Sequence, residues 1–196
     1  MATTNKGKLK EIRAQLAGLP LEITILDIPA LKSEYQETGR TFMENAREKC
    51  LFYSRHWQGL ALGEDSGLVV DALDGEPGIY SARYAGPEAS DEENIQKLLR
   101  RLKGIPPERR AARFVSAMAL AHSGRVLKEM EGVVEGRIAS EARGKRGFGY
   151  DPVFFYPPLG RTFAELDAGE KNRISHRGRA LSALKKFLSE RLRNSR

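Results

Sequence analysis

The chain has 196 residues, of which 40% are hydrophobic and 30% charged, so it can fill a core and its length fits one domain. No apolar run approaches the roughly 20 residues of a membrane span, and the N-terminus lacks the pattern of a signal peptide. Cys50 is the only cysteine, which excludes an intrachain disulfide and a cysteine-ligated zinc site. We expect a single domain over 1–196, without a membrane segment, in a reducing cytoplasm.

The formal net charge is +7, which suits a polyanionic partner such as nucleic acid, anionic lipid or a polyphosphate. The basic residues gather loosely in 100–113 and 185–196. Neither group has the interleaved aromatic residues of a platform for single-stranded nucleic acid. A solvated basic surface explains the charge equally well, and nucleic acid is not the expected partner.

The first part of the chain alternates helical and strand-like patterns. A helix is predicted over 7–18, ending at Gly18, and an alternating strand over 21–28. A second helix is predicted over 41–57. The apolar positions of the first helix are Leu9, Ile12 and Leu16. The apolar stripe of the second is formed by Phe42, Ala46, Cys50, Tyr53 and Trp57.

Two short apolar runs, 60–63 and 67–73, flank an acidic break at Glu64-Asp65-Ser66-Gly67, whose carboxylates we place at a strand end. A capping box that starts at Ser90 predicts a helix over 91–103. The core side of this helix is formed by Ile95, Leu98, Leu99 and Leu102.

Two long strands are predicted over 112–121 and 125–139, joined by a hairpin turn at Ser123-Gly124. A final helix is predicted over 178–192. Its inward positions are Leu181, Leu184, Phe187, Leu188 and Leu192. Helices alternating with strands and then a hairpin indicate an α/β fold with a mixed sheet.

A polar segment lies directly before the first predicted helix: Thr3-Thr4-Asn5-Lys6-Gly7-Lys8. Small polar residues and a glycine let backbone N–H groups face outward at a helix start, where the partial positive charge favours phosphate. Lys6 and Lys8 add full charges. The Gly-Lys-Ser/Thr ending of a Walker P-loop is absent, and taken alone the segment is better explained as an ordinary polar N-cap.

The acidic segment is Glu64-Asp65-Ser66-Gly67. Carboxylates at a strand end are well placed to hold Mg²⁺, and a carboxylate beside such an ion can deprotonate an attacking water. Glu34, Glu37 and Glu44 lie upstream as possible further ligands. Since Asp-Ser-Gly is also common in turns, a solvated turn fits the pattern equally well.

The third segment is Gly147-Phe148-Gly149-Tyr150-Asp151-Pro152. Glycines beside aromatic residues let a ring approach a flat ligand, so Phe148 or Tyr150 could stack on a base. Asp151 could accept a hydrogen bond from a base N–H. The alternative is a glycine-rich turn whose aromatic residues belong to the core.

The fourth set consists of hydrogen-bond donors, namely Lys171 and the run Ser175-His176-Arg177. Two or three donors close together suit a carbonyl or phosphate oxygen. A lone histidine is more often structural, and His56 and His122 lack metal-ligand spacing.

The four segments occur in one order that resembles the inosine triphosphate pyrophosphatase family, the XTP/dITP diphosphatases. The likeness covers nearly the whole chain. It is carried by ATTNKGKLKEI, TFMENAREKC, GEDSGLVVDALDGEPGIYSARYAG, GFGYDPVF and FAEL…EK…ISHRGRAL. The resemblance implies an elongated α/β protein with a central mixed sheet flanked by helices, and two lobes with the active-site cleft between them. It also implies a homodimer, Mg²⁺ dependence and purine nucleoside triphosphates as substrates.

The resemblance also assigns roles by position. It implies that Asp65 is the general base and a metal-linked carboxylate. Glu64 lies beside it on the metal side, and Glu37 is favoured over Glu34 as the upstream ligand. The implied substrate contacts are Thr3, Thr4, Asn5, Lys6, Gly7, Lys8, Ser66, Phe148, Gly149, Tyr150, Asp151, Lys171, His176 and Arg177.

The expected reaction is hydrolysis of ITP, dITP or XTP to the monophosphate and pyrophosphate, which removes these nucleotides from the pool. Hypoxanthine and xanthine present a 6-carbonyl that accepts hydrogen bonds from donors such as His176 and Arg177, whereas adenine presents an amino donor. Three other interpretations are open: a nucleic-acid-binding module, a pyrophosphatase for another nucleotide such as a pyrimidine triphosphate, and an inactive relative that serves as a dimeric partner.

Overall fold

The computed structural model describes residues 5–25 and 35–194. Its helices are α1 (Lys6–Leu16), α2 (Phe42–Arg55), α3 (Asp91–Arg101), α4 (Ala168–Ile174) and α5 (His176–Asn194). Its strands are β1 (Ala61–Val70), β2 (Ala111–His122), β3 (Arg125–Ile138), β4 (Phe154–Tyr156) and β5 (Arg161–Thr162). The strands form one sheet in the order β1-β2-β3-β4-β5, which confirms the α/β class.

The chain divides into two compact units. The first comprises Met1–Asp65, Ser116–Gly132 and His176–Arg196, and the second comprises Ser66–Val115 and Val133–Ser175. Residues of β1, β2 and β3 therefore belong to both units, whereas α1, α2 and α5 belong to the first and α3 and α4 to the second. Among the described residues, no helix combines the length and the apolar character that crossing a membrane requires.

In the first unit, α1 packs against α5. Asn5 caps α1, because its side-chain oxygen accepts a hydrogen bond from the backbone N–H of Lys8 at 3.0 Å. The buried residues of α1 are the predicted Leu9, Ile12 and Leu16, and they share a core with Leu181, Leu184 and Leu188 of α5. Helical periodicity therefore predicted both faces of this contact correctly.

The strand β2 shows two different faces in the first unit, because side chains alternate along a strand. Its larger residues, Met118 and Leu120, join the core of α1 and α5. Its alanines at alternate positions pack with Ala46 and Cys50 of α2. Gly63 of β1 also lies against α2, where a Cβ would fall on the backbone of Ala46. Small residues thus let α2 lie close to the sheet.

The core of the second unit is built around α3 and an aromatic cluster. The predicted capping box at Ser90 is confirmed, and Ile95, Leu98 and Leu102 are buried as expected. The rings of Phe114, Phe154 and Phe163 pack together, with centroids 4.5 Å apart for the first two and 4.8 Å for the last two.

The predicted hairpin between β2 and β3 is confirmed. Ser123 and Gly124 have φ values of +48° and +74°, the left-handed conformation that a two-residue turn of this kind needs at both positions. Strand β3 pairs with β4, and β4 pairs with β5, in antiparallel orientation.

Several predictions about elements were wrong. Residues 21–25 form no strand, although Leu21, Ile23 and Ile25 are partly buried against the core of α1 and α5. The alternating pattern predicted which side chains face this core, but a strand also needs a neighbouring strand to pair with. Residues 26–28 lie outside the described residues. Trp57 does not belong to the apolar stripe, because α2 ends at Arg55 and Trp57 is 40% exposed. The short elements α4, β4 and β5 were not predicted.

The prediction of an acidic break between two separate apolar runs was also wrong. Residues 61–70 form one continuous strand, and Glu64 and Asp65 are buried within it. A buried strand tolerates these carboxylates because side chains from other elements bind both of them, as described below.

Candidate active site

Glu64 and Asp65 lie side by side in the middle of β1 and point to opposite faces of the strand. Leu62, two residues before Glu64, belongs to the core of α1 and α5. Gly63, two residues before Asp65, lies against α2. Glu64 is therefore on the α1 and α5 side, and Asp65 is on the α2 side.

Glu64 is held by cations and a hydroxyl group. Its Oε1 accepts hydrogen bonds from Arg177 Nε at 2.7 Å and from Ser116 Oγ at 3.0 Å. Lys8 Nζ lies 3.5 Å from Oε2. Arg177 also donates through Nη1 to Glu11 Oε2 at 2.6 Å. Glu64 and Arg177 are each 2% exposed, so the pair is buried and removal of one partner would strand a charge.

These partners decide the protonation state of Glu64. Burial alone would raise the pKa of Glu64, but the positive charges of Arg177 and Lys8 and the hydrogen bonds outweigh it and lower the pKa to about 2. Burial lowers the pKa of Lys8. Glu64 is consequently an ionised side chain with a fixed orientation at any physiological pH.

The pKa of Asp65 is shifted in the opposite direction, upward. Burial raises the pKa of Asp65, and the negative charge of Glu37 adds to this. A hydrogen bond from Asn45 Nδ2 to Asp65 Oδ2, at 2.9 Å, and the charges of Lys8 and Lys49 oppose the rise without cancelling it. Two adjacent carboxylates with pKa values driven apart are the arrangement expected when one of them accepts a proton during catalysis.

The surroundings of Asp65 come from α2 and the segment before it. Lys49 forms an ion pair with Glu37 and donates a hydrogen bond to the backbone oxygen of Glu64 at 3.2 Å. Asn45 also accepts a hydrogen bond from the backbone N–H of Gly39 at 2.9 Å, which fixes its amide toward Asp65. Asp65 is thus oriented by a hydrogen bond from the neutral side chain of Asn45.

The predicted metal ligands are only partly brought together. Within 5–25 and 35–194, no group of three or more His, Cys, Asp or Glu side chains is placed to hold a metal ion. Glu34 lies outside the described residues. Asp65 and Glu37 do fit Mg²⁺ by their chemistry, because they are carboxylates whose mutual repulsion a divalent cation would relieve. Glu64 instead binds Arg177 on the other face of β1.

The phosphate-binding segment is described from Asn5 onward, and Thr3 and Thr4 lie outside the described residues. Asn5 is the N-cap, so the interpretation as an ordinary helix start is correct for this residue. Lys6, Gly7 and Lys8 form the first turn of α1, in which Lys6 is exposed and Lys8 lies close to Glu64. A cation and the positive end of the helix dipole therefore lie next to Glu64.

In the second unit, the glycine-rich segment forms a turn around Asp151. Lys171 Nζ donates to Asp151 Oδ2 at 2.5 Å, and the backbone N–H of Phe148 donates to the same oxygen at 2.9 Å. Gly147 is close to this carboxylate, and a Cβ at Gly147 would overlap it. Lys171 Nζ lies 4.7 Å from the centroid of the Phe148 ring, a cation–π distance.

The two aromatic residues of this turn have different environments. Tyr150 is buried in the core of the second unit, and its hydroxyl group donates to the backbone oxygen of Ser81 at 2.9 Å. The alternative that the aromatic residues of this turn belong to the core is therefore correct for Tyr150. Phe148 is half-buried beside Lys171. Phe148 is the better placed of the two to meet a ligand. Ser66 follows Asp65 in β1 and is half-buried, and His176 begins α5 as a buried residue.

Four residues that support the acidic strand were not predicted from the sequence. They are Glu11, Asn45, Lys49 and Ser116, which bind Arg177, Asp65, Glu37 and Glu64 respectively. The sequence spacing could have indicated two of them. Asn45 and Lys49 are four residues apart and are therefore neighbours on one face of α2, close to the buried Ala46. Glu11 and Ser116 gave no such signal, because their partners are distant in sequence.

Comparison with known proteins gives concordant results. The model of the Ham1 family matches residues 1–187. The dITP/XTP pyrophosphatase of Shouchella clausii is 47% identical over 188 residues, which cover 96% of this chain and 94% of the relative. The dITP/XTP pyrophosphatase of Geobacter sulfurreducens is 50% identical over 189 residues, with coverages of 96% and 94%.

Solved structures agree. A HAM1 protein from Coxiella burnetii superposes with a TM-score of 0.85 at 42% identity and covers 96% of both chains. A nucleoside-triphosphatase / dITP/XTP pyrophosphatase from Mycobacterium abscessus gives a TM-score of 0.73 at 43% identity, covering 93% of this chain and 95% of that one. On the family match, the relatives and the shared fold, the chain belongs to the Ham1 family.

Proposed function

We propose that the protein hydrolyses nonstandard purine nucleoside triphosphates, namely dITP, ITP and XTP, to the nucleoside monophosphate and pyrophosphate. Relatives at 44–50% identity carry the name dITP/XTP pyrophosphatase, which supports this substrate class. The observation that carries the proposal is the pair Glu64 and Asp65, whose pKa values are shifted in opposite directions within one buried strand.

Asp65 is the proposed general base. Its oxygen accepts a proton from a water molecule while the water oxygen bonds to the α-phosphorus, and the bond from that phosphorus to the bridging oxygen breaks. Pyrophosphate leaves with the electron pair of that bond. In the metal-free protein burial raises the pKa of Asp65, and the hydrogen bond from Asn45 orients its carboxylate.

The charged groups around Glu64 have a different role in the proposal. In the proposal, Lys8 binds phosphate oxygens through its charge, and the first turn of α1 does so through the backbone N–H groups of Lys6 and Gly7, because the N–H of Lys8 donates to Asn5. Lys6 is exposed at the same helix start, so it adds a second charge for the polyphosphate. Arg177, bound to both Glu64 and Glu11, keeps Glu64 ionised, and Glu64 in turn holds Lys8 at this helix end.

Mg²⁺ is the proposed cofactor, and Asp65 and Glu37 are the carboxylates that would hold it. When bound, the ion neutralises phosphate charge and lowers the pKa of bound water. We assign Glu64 to Arg177 rather than to the ion, because its Oε1 already accepts two hydrogen bonds on the other face of β1.

Recognition of the base is assigned to the glycine-rich turn and to donors for the 6-carbonyl. Phe148 offers a ring for stacking, and Gly149 lets the backbone come close to a flat ligand. Lys171 and His176 are the proposed donors. A 6-amino group would meet these donors with a donor of its own, at a cost of about 1–3 kcal/mol for each unpaired group.

The test is pyrophosphate release from a panel of triphosphates, with and without Mg²⁺. We expect dITP, ITP and XTP to be hydrolysed far faster than ATP, and Mg²⁺ to be required. Equal rates on ATP would contradict the account of selectivity, and a preference for dUTP or dCTP would favour a pyrimidine pyrophosphatase. Tight, salt-dependent binding to nucleic acid without turnover would favour a binding module.

The resemblance also leads us to propose a homodimer and a cytoplasmic location. Light scattering of the purified protein tests the first: a mass of twice 21.9 kDa is expected, and the monomer mass would contradict it. Fractionation of cells tests the second.

A further inference from the structure

The turn that carries Phe148 is held by carboxylates at two consecutive backbone N–H groups. At Phe148, the backbone N–H donates to Asp151. At Gly149, the backbone N–H donates to Oδ2 of Asp91, at 2.6 Å. Asp91 is 58 residues away in sequence, in the first turn of α3. Hydrogen bonds to an ionised acceptor are stronger than neutral ones, so both carboxylates restrain the turn.

We propose that Asp91 is a positioning residue for substrate binding: by holding the N–H of Gly149, it keeps the Phe148 ring in the orientation that receives the purine base. This inference rests on the proposed function, in which Phe148 stacks on that base. Asp91 itself does not touch the reacting atoms.

The two glycines of the turn make its conformation depend on the hydrogen bonds that its N–H groups form. Gly147 and Gly149 have φ values of +79° and +60°, and glycine has the largest conformational freedom of any residue in the unfolded and loosened states. Residues 141–147, directly before Phe148, are exposed, and backbone hydrogen bonds from Arg143 N to Pro152 O at 2.8 Å and from Arg146 N to Ala164 O at 3.1 Å hold them. Phe148 and Gly149 lie beyond these bonds, and their N–H groups bond to carboxylates instead. Loss of one anchor would therefore let the turn adopt further conformations.

Asp91 is a suitable anchor because α3 is itself well fixed. A capping box of Ser90 and Glu93 closes the helix start. The buried side chain of Asn94 accepts a hydrogen bond from Ala85 N at 2.7 Å and donates one to Ala82 O at 3.3 Å. The first turn of α3 thus holds the segment around 82–85 through Asn94 and the glycine-rich turn through Asp91.

Loss of the Asp91 carboxylate should weaken binding rather than chemistry. If only a fraction of the molecules holds the turn in the competent conformation, the apparent dissociation constant rises by the reciprocal of that fraction. Base stacking is equally present in the ground state and in the transition state, so its loss should raise KM and leave kcat unchanged.

The experiment compares Asp91→Ala with two other variants in ITP hydrolysis. Asp91→Asn keeps a side-chain oxygen that can accept from Gly149. Glu92→Ala is the matched control, because it removes the same charge from the same helical turn while Glu92 bonds to Gln96. We expect Asp91→Ala to raise KM about five- to tenfold with kcat within about twofold, Asp91→Asn to be intermediate, and Glu92→Ala to resemble the wild type.

Hydrogen exchange of the Gly149 amide, read by NMR, gives a result that does not depend on activity. Asp91→Ala should accelerate it at least about tenfold, and Glu92→Ala should not. An unchanged KM, or a fall in kcat alone, would overturn the proposal. If the wild-type protein failed to hydrolyse ITP, the proposed function would be refuted, and hydrogen exchange would still test the role of Asp91. A faster exchange of the Gly149 amide in Asp91→Ala would support the restraint of the turn by Asp91, and an unchanged exchange rate would overturn it.

Discussion

The buried carboxylate of Glu64 makes the stability of this protein depend on pH in a defined range. Its pKa is lowered from an ordinary value near 4.5 to about 2, because Arg177 and Lys8 outweigh the effect of burial. The unfolded chain therefore takes up this proton first as the pH falls. Stability from Glu64 is complete above pH 4.5 and is lost as the pH falls toward 2, by on the order of 3 kcal/mol, since each unit corresponds to about 1.4 kcal/mol.

Glu64→Gln removes this titration. Urea unfolding of the wild type and the variant at several pH values between 6 and 2 measures it. We expect the free energy of unfolding of the wild type to fall more steeply than that of Glu64→Gln, by an amount on the order of 3 kcal/mol over the range. At neutral pH the variant should be less stable by about 3–5 kcal/mol, because Arg177 loses a buried partner.

Two further variants make the result interpretable. Glu64→Gln combined with Arg177→Met removes both charges and keeps the measurement possible if the single variant does not fold. Glu129→Gln breaks an ion pair with Arg47 in which both side chains are at least one-third exposed, so its effect on the pH dependence should be much smaller. Equal pH dependences for the wild type and both Glu64 variants would refute the role assigned to the Glu64–Arg177 pair.

Three other predictions follow from the same geometry. Asp65→Asn should lower kcat for ITP on the order of 10²-fold or more with little change in the free energy of unfolding; a near-wild-type kcat would remove Asp65 from the mechanism. Since burial raises the pKa of Asp65, titration of its carboxyl group in the Mg²⁺-free protein, read by NMR, should give a pKa above the ordinary value of 3.8, and a pKa below 3.8 would contradict the assignment. Gly132→Ala should destabilise the protein by several kcal/mol, because its Cβ would fall on the backbone of α5, whereas Gly169→Ala, which meets only side-chain atoms, should change thermal unfolding little.

The sequence predicted the parts of the fold that depend on local pattern. Helical spacing identified the buried residues of α1, and the Ser-Gly pair located the hairpin of β2 and β3. The acidic segment was misplaced because charge in a short apolar stretch usually indicates a turn. Here the burial of Glu64 depends on Arg177, 113 residues later in the chain, and a local pattern contains no information about such a partner.

The candidate site was predicted by its residue types more than by its contacts. Motif order selected Asp65, Lys171 and Arg177, but it did not reveal that Arg177 binds Glu64 and Glu11, or that Lys171 binds Asp151. Residues whose only role is to hold another side chain, such as Asn45, carry no motif of their own. Their identification required the distances between side chains.

The central claim is that a water molecule directed by Asp65 attacks the α-phosphorus of the triphosphate. The most direct measurement is hydrolysis of ITP by the wild-type protein in water labelled with heavy oxygen, followed by mass spectrometry of both products. We expect one labelled oxygen in the inosine monophosphate and none in the pyrophosphate. Label in pyrophosphate, or release of orthophosphate as the first product, would contradict it.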